Sequence, residues 1–370
     1  MRRGPLPLLL AEPTRFAGLP RRTAIAVLAT VSILILAALL ALAAPLSVAS
    51  PAPGGGSAVT DLQLYGAIVE AMHHGERYYP AAADALRAGG YPLQPFVAVR
   101  LPTLAAVLAA VPPALIAPML WSLVLAVLLA WGRRLAPAFP KKPGQAVAAV
   151  LMLGGTVAFW RAELAPFHEL WAGLLIALSL AIRTPGRWVE AAALGLAAAL
   201  IRETAAPYLL VMGTLALAEG HRREAVGWAA ALGVFALVLA VHAHAVAGVV
   251  RPLDPVSPGW SGLLGFGFFA RALVTGTALS VLPLAVGAPL VALALVGWAG
   301  WRGPLALRML ATLATYAALI GLFARADTFY WVMLVAPASL VGLALAPDAL
   351  RDLLVAALDK RRITVRRVVR

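Results

Sequence analysis

Residues 21–44 read RRTAIAVLATVSILILAALLALAA, and this stretch decides the class of fold. Two arginines precede an apolar run that contains no charged residue. As a helix, the run is long enough to cross the roughly 30 Å hydrocarbon core of a bilayer. It lacks the polar–apolar alternation of a transmembrane β-strand. Because backbone groups in lipid must be hydrogen-bonded within the segment, the stretch predicts a membrane-spanning α-helix.

The rest of the chain has the same character. Of 370 residues, 62% are hydrophobic and 12% are charged, with a mean hydropathy of +0.90, whereas roughly 25% of the residues in a soluble domain are charged. The sequence therefore predicts an all-α polytopic membrane protein, a single membrane domain over residues 1–370 with about ten transmembrane helices. The predicted spans are residues 23–44, 114–131, 145–160, 169–182, 188–201, 204–218, 226–250, 276–298, 305–323 and 329–346.

The basic residues give an orientation. A net charge of +14 could indicate nucleic-acid binding, but the arginines are dispersed in short turns between apolar runs. Lys/Arg-rich turns stay in the cytoplasm, so both termini are predicted to be cytoplasmic, with a basic tail over residues 351–370. The preference for Arg over Lys and the abundance of Ala are typical of GC-rich bacteria. These features predict a multi-pass protein of the bacterial inner membrane.

Several kinds of chemistry are excluded or disfavoured. The chain contains no cysteine, so disulfides, zinc–thiolate sites and cysteine nucleophiles are excluded. It has no phosphate-binding Gly-rich loop, no Gly-x-Ser-x-Gly elbow and no His-Glu-x-x-His helix. His73 and His74 are neighbours on a predicted helix and therefore point apart. The sequence predicts no cofactor, and no residue pattern in it supports a site for a divalent metal ion.

A long first outer loop, residues 45–96, is predicted to be partly helical. Its first helix begins at Asp61 and presents an apolar face that includes Leu64 and Ile68, as in a helix lying at the membrane interface. A second short helix is predicted over Tyr78–Ala88. The apolar stretch 96–112 is interrupted by Pro102 and ends at the prolines Pro112 and Pro113. These prolines predict a re-entrant or juxtamembrane helix rather than a full span.

The outer turns carry compact groups of acidic and basic residues, whereas the inner turns carry mainly arginine. Ionisable residues inside a membrane are costly and suggest function. Two interpretations remain open for each group: solvated turns, helix caps and interface anchors, or parts of one binding site. The groups are Asp61 with Glu70; Arg161, Glu163, His168 and Glu169; Arg202 with Glu203; and Arg325, Asp327 and Tyr330.

The first outer loop resembles that of the GT-C polytopic glycosyltransferases, in particular the branch that uses polyprenyl-phosphate mannose. The resemblance is carried by Asp61 with Tyr65, by the segment GERYY at residues 75–79, and by Tyr91-Pro92 leading into the apolar stretch 96–112. It implies a GT-C-like fold and transfer of a sugar from a polyprenyl-phosphate carrier to an acceptor hydroxyl on the extracytoplasmic face. The acceptor would be a glycan, a lipid or a protein.

In that family an acidic residue of the first outer loop acts as the general base, and the matching position here is Asp61. The family often has a second acid beside it, but Leu62 stands there in this chain. The leaving lipid phosphate needs positive charge on its oxygens, which arginine supplies through bidentate hydrogen bonds. The candidates for binding the donor phosphate are, in order, Arg202, Arg325 and Arg161.

Further residues are candidates for binding or orienting the substrate. The main alternative to a transferase is a secondary transporter or flippase for a small molecule or a polyprenyl-linked lipid. Such proteins usually show ionisable groups at broken helices and repeated halves, and neither is evident here. The candidate binding or orienting residues are Glu203, Glu163, His168, Glu169, Asp327, Tyr330, Tyr65, Tyr78 and Tyr79.

Overall fold

The computed structural model describes residues 7–42 and 61–359. These residues are largely helical, and they form no β-strand beyond two isolated bridges. The predicted all-α class is therefore confirmed. Parts of two predicted regions, residues 45–60 of the first outer loop and residues 360–370 of the basic tail, lie outside the described residues.

The described residues form fifteen α-helices. The first eight are α1 Arg21–Leu39, α2 Asp61–His73, α3 Tyr78–Ala88, α4 Thr103–Ala110, α5 Pro113–Leu135, α6 Lys142–Gly155, α7 His168–Ile182 and α8 Val189–Ile201. The others are α9 Ala206–Ala218, α10 Arg222–Ala247, α11 Gly265–Gly276, α12 Leu284–Gly300, α13 Pro304–Phe323, α14 Ala336–Ser339 and α15 Gly342–Leu358. Short 3₁₀ helices lie at Leu40–Leu42, Phe96–Ala98, Ala136–Ala138, Val157–Trp160, Ala162–Leu164, Glu203–Ala205, Ala278–Val281 and Ala326–Leu334.

Four segments are long and apolar enough to cross a membrane, judged by length and composition. They are Arg21–Leu42, Pro113–Ala138, Arg222–Ala247 and Pro304–Phe323. Large apolar side chains on these segments are exposed at the protein surface, as expected of helices that face lipid. Shorter apolar helices pack among them: Phe96–Ala110, His168–Ile182, Val189–Ile201, Glu203–Ala218 and Leu284–Gly300.

The N-termini of α1 and α10 and the C-termini of α5, α7, α12 and α15 lie at the same end of the helix bundle. Arg21 at the start of α1 donates to the Ala357 carbonyl at the end of α15. Arg183, which follows α7, forms an ion pair of 2.6 Å with Glu224 in the first turn of α10. Because most predicted basic clusters lie here, this end is called the basic end.

The segment before α1 is bound to α15 at the basic end. The Asp348 carboxylate accepts the backbone N–H groups of residues 8, 9 and 10 at 2.6, 2.8 and 2.9 Å. Asp352 accepts both the N–H and the hydroxyl of Thr14. Residues 351–358 of the predicted basic tail are helical and continue α15, and the cytoplasmic tail itself stays a prediction. There Asp352 is buried against the protein rather than solvated.

Two predicted spans have wrong boundaries. The span 329–346 is not one helix, because Pro337 lacks an N–H and its ring would clash with the carbonyl four residues earlier. A 3₁₀ helix, Ala326–Leu334, and the short α14 occupy most of it instead. The span 276–298 starts too early: α11 ends at Gly276, and α12 begins only after Pro283.

Glycines let elements pack at backbone distance. A Cβ atom on Gly173 of α7 would collide with the carbonyl oxygen of Met333. Small residues in membrane proteins allow this kind of close approach. The contact holds the segment Ala326–Leu334, called here the 3₁₀ segment, against α7.

We expect Gly173→Ala to destabilise the protein by about 1–3 kcal/mol, because the added methyl group must push the 3₁₀ segment away. The measurement is the melting temperature of the purified protein in detergent. Gly233→Ala on α10 is the matched control, since no atom lies within 4 Å of the position that its methyl group would take. Equal melting temperatures for the two variants would contradict this packing.

Candidate functional site

Most of the predicted site residues meet at the end of the bundle opposite the basic end. Asp61 and Tyr330 come together there, as do Glu169 and Arg202. We call this group the Asp61 cluster. Its members are Asp61, Tyr65, Tyr91, Arg100, His168, Glu169, Arg202, Glu203, Arg325, Asp327, Tyr330 and Trp331.

Asp61 is the first residue of α2, where the partial positive charge of a helix start favours a carboxylate. Tyr91 donates its hydroxyl to one carboxylate oxygen at 2.8 Å. Tyr330 of the 3₁₀ segment donates to the other at 3.0 Å. Burial and the hydrogen bond to Asp61 both raise the pKa of Tyr91. Asp61 is half-buried, and each oxygen retains a lone pair for a further donor.

Arg202 follows the last turn of α8 and is 1% exposed. Its Nε lies 2.6 Å from Glu169 Oε1, and its Nη1 donates to Glu203 Oε2 at 2.9 Å. Its guanidinium group lies 5.7 Å from the centre of the Trp331 ring. The interpretation of this turn as solvated therefore does not describe Arg202. Because two carboxylates already hold it, it is a poor candidate for binding the donor phosphate.

Arg100 belongs to the same cluster and was missed by the sequence analysis. Its Nε donates to the Tyr65 hydroxyl at 3.2 Å. The side chain is partly exposed, and no Asp or Glu of the described residues forms an ion pair with it. The signal that could have found it is a single arginine inside the apolar stretch 96–112. Among the arginines of the cluster, Arg100 is the one that pairs with no carboxylate of residues 7–42 and 61–359.

Side chains hold the backbone around Arg100 in place. The Tyr78 hydroxyl donates to the Arg100 carbonyl at 2.6 Å. His242 of α10 lies 3.0 Å from the Val99 carbonyl through Nε2, and the Leu101 N–H donates to Glu203. Three consecutive residues are thus fixed by three different helices or turns.

Tyr79 completes this arrangement, because its hydroxyl lies 3.2 Å from His242 Nδ1. Since Nε2 faces a carbonyl and must donate, Nδ1 accepts the Tyr79 proton. Tyr78 and Tyr79 were predicted to bind or orient the substrate, and this role stays a prediction. Their hydroxyls have partners within the protein.

His168 is buried, and neither of its ring nitrogens has a hydrogen-bond partner among the described residues. Its ring contacts the edge of Tyr65 at a centroid distance of 4.8 Å. Both residues line a narrow cavity of 10 Å³, about the space that one water needs. The Thr204 hydroxyl and the Trp331 indole N–H are likewise buried without a partner in this part of the chain. Unsatisfied polar groups concentrated at one place indicate a site for a polar ligand or water.

Four other predicted residues are more exposed. Arg161 and Glu163 bind each other at 2.8 Å with side chains 63% and 56% exposed, and the Arg161 hydrogen bond lowers the pKa of Glu163. The structure thus leaves Arg161 outside the cluster. Arg325 binds Asp327 at 2.7 Å. That bond raises the pKa of Arg325, and Asp61 adds to the effect.

Within residues 7–42 and 61–359, no group of three or more His, Asp and Glu side chains could hold a metal ion. The fold defines the class: an all-helical chain with several helices of membrane-spanning character and a polar cluster at one end. No family model, no curated protein and no solved structure matches the chain.

We expect Arg202→Met to destabilise the protein by about 3–5 kcal/mol, because it leaves Glu169 buried and unpaired. Arg161→Met is the matched control, and it should change stability little, since its ion pair is solvated. Thermal unfolding in detergent measures both. If the two variants unfolded at the same temperature, Arg202 would not be the buried ion-pair centre described here.

Proposed function

We propose that the chain is a membrane glycosyltransferase that moves a sugar from a polyprenyl-phosphate carrier to an acceptor hydroxyl of a glycan, lipid or protein. One observation carries the proposal. A half-buried carboxylate, Asp61, shares a cluster with Arg100, an arginine that no carboxylate of the described residues pairs with. Phe167 links the two, since its ring contacts both Tyr330, which binds Asp61, and Tyr65, which binds Arg100. The transfer needs such a base and such an anion-binding group.

In the proposed reaction, the acceptor oxygen attacks the anomeric carbon while Asp61 takes the hydroxyl proton. The bond between the anomeric carbon and the phosphate oxygen breaks, and its electron pair leaves with the phosphate. Arg100 stabilises that phosphate by charge-assisted hydrogen bonds. A positioned base contributes on the order of 10²–10⁴-fold to such a step.

The structure supports different roles for the three arginines first considered. Arg202 orients Glu203 and thereby the segment that carries Arg100. Arg325 is partly exposed beside Asp61 and is the second candidate for the phosphate. Arg161 lies in an exposed ion pair, and we assign it no part in the reaction.

The proposal includes a GT-C-like arrangement of about ten spans in a bacterial inner membrane, with the Asp61 cluster on the extracytoplasmic side. Its support is the Lys/Arg distribution together with four long and five shorter apolar segments. The polyprenyl tail would then lie in lipid against these helices while its phosphate reaches the cluster. This accounts for an enzyme that works at the surface yet consists mainly of apolar helices.

Asp61→Asn should lower the transfer rate by roughly 10² or more, because the amide cannot accept the hydroxyl proton. Glu163→Gln is the control, a carboxylate outside the cluster, and should keep full activity. The assay incubates purified protein with radiolabelled polyprenyl-phosphate sugars and membrane extract and identifies the labelled product. Full activity of the Asn variant would exclude Asp61 as the base.

Arg100→Gln should lower the same rate roughly 10- to 100-fold, because hydrogen bonds to a charged group are worth about 1.5–3 kcal/mol. Arg161→Gln is the matched control and should behave like the wild type. An unchanged rate for Arg100→Gln, in a variant that unfolds at the wild-type temperature, would remove Arg100 from the phosphate site.

A transporter or flippase is the second candidate, and one observation favours it. Buried ion pairs lie at both ends of α7, Glu169 with Arg202 at one end and Arg183 with Glu224 at the other. Paired charge clusters could open alternately as gates. A transporter would move polyprenyl-linked lipid across sealed vesicles without changing its covalent structure, whereas the transferase assay yields a new compound.

A further inference from the structure

A second network of buried charges lies at the basic end. Arg183 binds Glu224 through two hydrogen bonds, of 2.9 and 2.6 Å. Arg308 of α13 binds Glu219 in the same bidentate way, at 2.9 and 2.6 Å. Glu219 also lies 3.7 Å from Arg183. The network therefore joins the end of α7, the end of α9 and the start of α10 and α13.

A third arginine, Arg134 in the last turn of α5, reaches this network without a carboxylate of its own. Its Nη2 donates to the Arg183 carbonyl at 3.3 Å. None of the described acidic residues forms an ion pair with Arg134, since both glutamates of the network are held by Arg183 and Arg308. Among the described residues, the Arg183 and Arg308 guanidinium groups thus use both carboxylates of the network, and Arg134 is bound there only to a carbonyl.

The network also contains a buried nitrogen that lacks a partner among the described residues. Arg308 is 1% exposed, and its Nε has no hydrogen-bond acceptor among residues 7–42 and 61–359. Arg134 itself is partly exposed. A small anion bound at Arg134 would reduce the repulsion between the three arginines.

The surroundings suit the phosphate of a lipid. Leu125 and Leu129, two and one helical turns before Arg133 on α5, are 51% and 52% exposed. Ile182, next to Arg183, is 36% exposed. Apolar side chains thus lie on the membrane side of the arginines, where acyl chains would run while the head group meets Arg134. Basic pockets between helix ends are known to hold anionic head groups.

We infer that Arg134, at the junction of α5 and α7, is the centre of a binding site for a phosphate group, carried by an anionic lipid. A guanidinium group binds phosphate oxygens through two parallel hydrogen bonds. Free phosphate has the same chemistry and is the other possible source. The site is at the opposite end of the bundle from the Asp61 cluster, so it does not depend on the proposed transferase activity.

The test measures the melting temperature of the full-length protein in detergent during titration with phosphatidylglycerol, phosphatidylcholine or inorganic phosphate. Phosphatidylglycerol should raise it and phosphatidylcholine should not. Arg134→Gln should weaken the apparent affinity for phosphatidylglycerol roughly tenfold, the equivalent of one charge-assisted hydrogen bond. Arg223→Gln removes the same charge from an exposed residue of α10 at the same end of the bundle and should leave the affinity within about twofold, because solvated charges contribute little.

Arg134→Lys covers the case in which Arg134→Gln does not fold. It keeps the charge but loses the bidentate geometry, so the affinity should fall by a smaller factor than tenfold. An Arg134-dependent response to inorganic phosphate alone would support the site and identify a soluble anion as its ligand. Equal losses for the variants at 223 and 134, or unchanged affinity in every folded variant at 134, would overturn the inference.

Discussion

The burial of Arg202 is the constraint on which the Asp61 cluster depends. An unpaired guanidinium in a low-dielectric interior costs several kcal/mol, so it persists only where carboxylates surround it. Glu169, from the first turn of α7, and Glu203, from the turn after α8, meet that need. Since each charge would be left unpaired without the others, the ends of α7 and α8 are fixed relative to each other.

This constraint extends to Arg100 through Glu203. One carboxylate oxygen of Glu203 binds Arg202, and the other accepts the Leu101 N–H. Tyr78 donates to the carbonyl of Arg100, and His242 donates to the carbonyl of Val99. The guanidinium of Arg100 is therefore placed by contacts that leave the group itself without a carboxylate. A rigid backbone with an uncommitted charge is the arrangement expected of a binding residue.

Local sequence was sufficient for some of this structure. The bounds of α3 match the prediction, and α2 starts at the predicted Asp61, because periodicity and helix-end signals act within a few residues. The interruption of the predicted span 329–346 near Pro337 was missed because the apolar run continues through it. Hydropathy depends on side-chain polarity and is unaffected by the missing backbone N–H of proline. Arg202 and Glu203 were recognised as candidates. Arg100 was not, because Tyr65, which accepts its hydrogen bond, lies 35 residues away, and Glu203, which binds the neighbouring Leu101 N–H, lies 102 residues from Leu101.

The two ends of the bundle differ in the balance of arginines and carboxylates. This difference would let a phosphate leave the Asp61 cluster sooner than the network at the basic end. The Asp61 cluster has one more carboxylate than arginine, so a phosphate binds there against a net negative charge. In the proposed reaction, Asp61 becomes protonated as the phosphate forms, which makes the cluster neutral while it holds the anion. Loss of that proton restores the negative excess and favours release of the lipid phosphate. The network around Arg134 at the basic end has one more arginine than carboxylate and would gain from keeping the anion inferred there. The groups compared are Arg100, Arg202, Arg325, Asp61, Glu169, Glu203 and Asp327 at one end, and Arg134, Arg183, Arg308, Glu219 and Glu224 at the other.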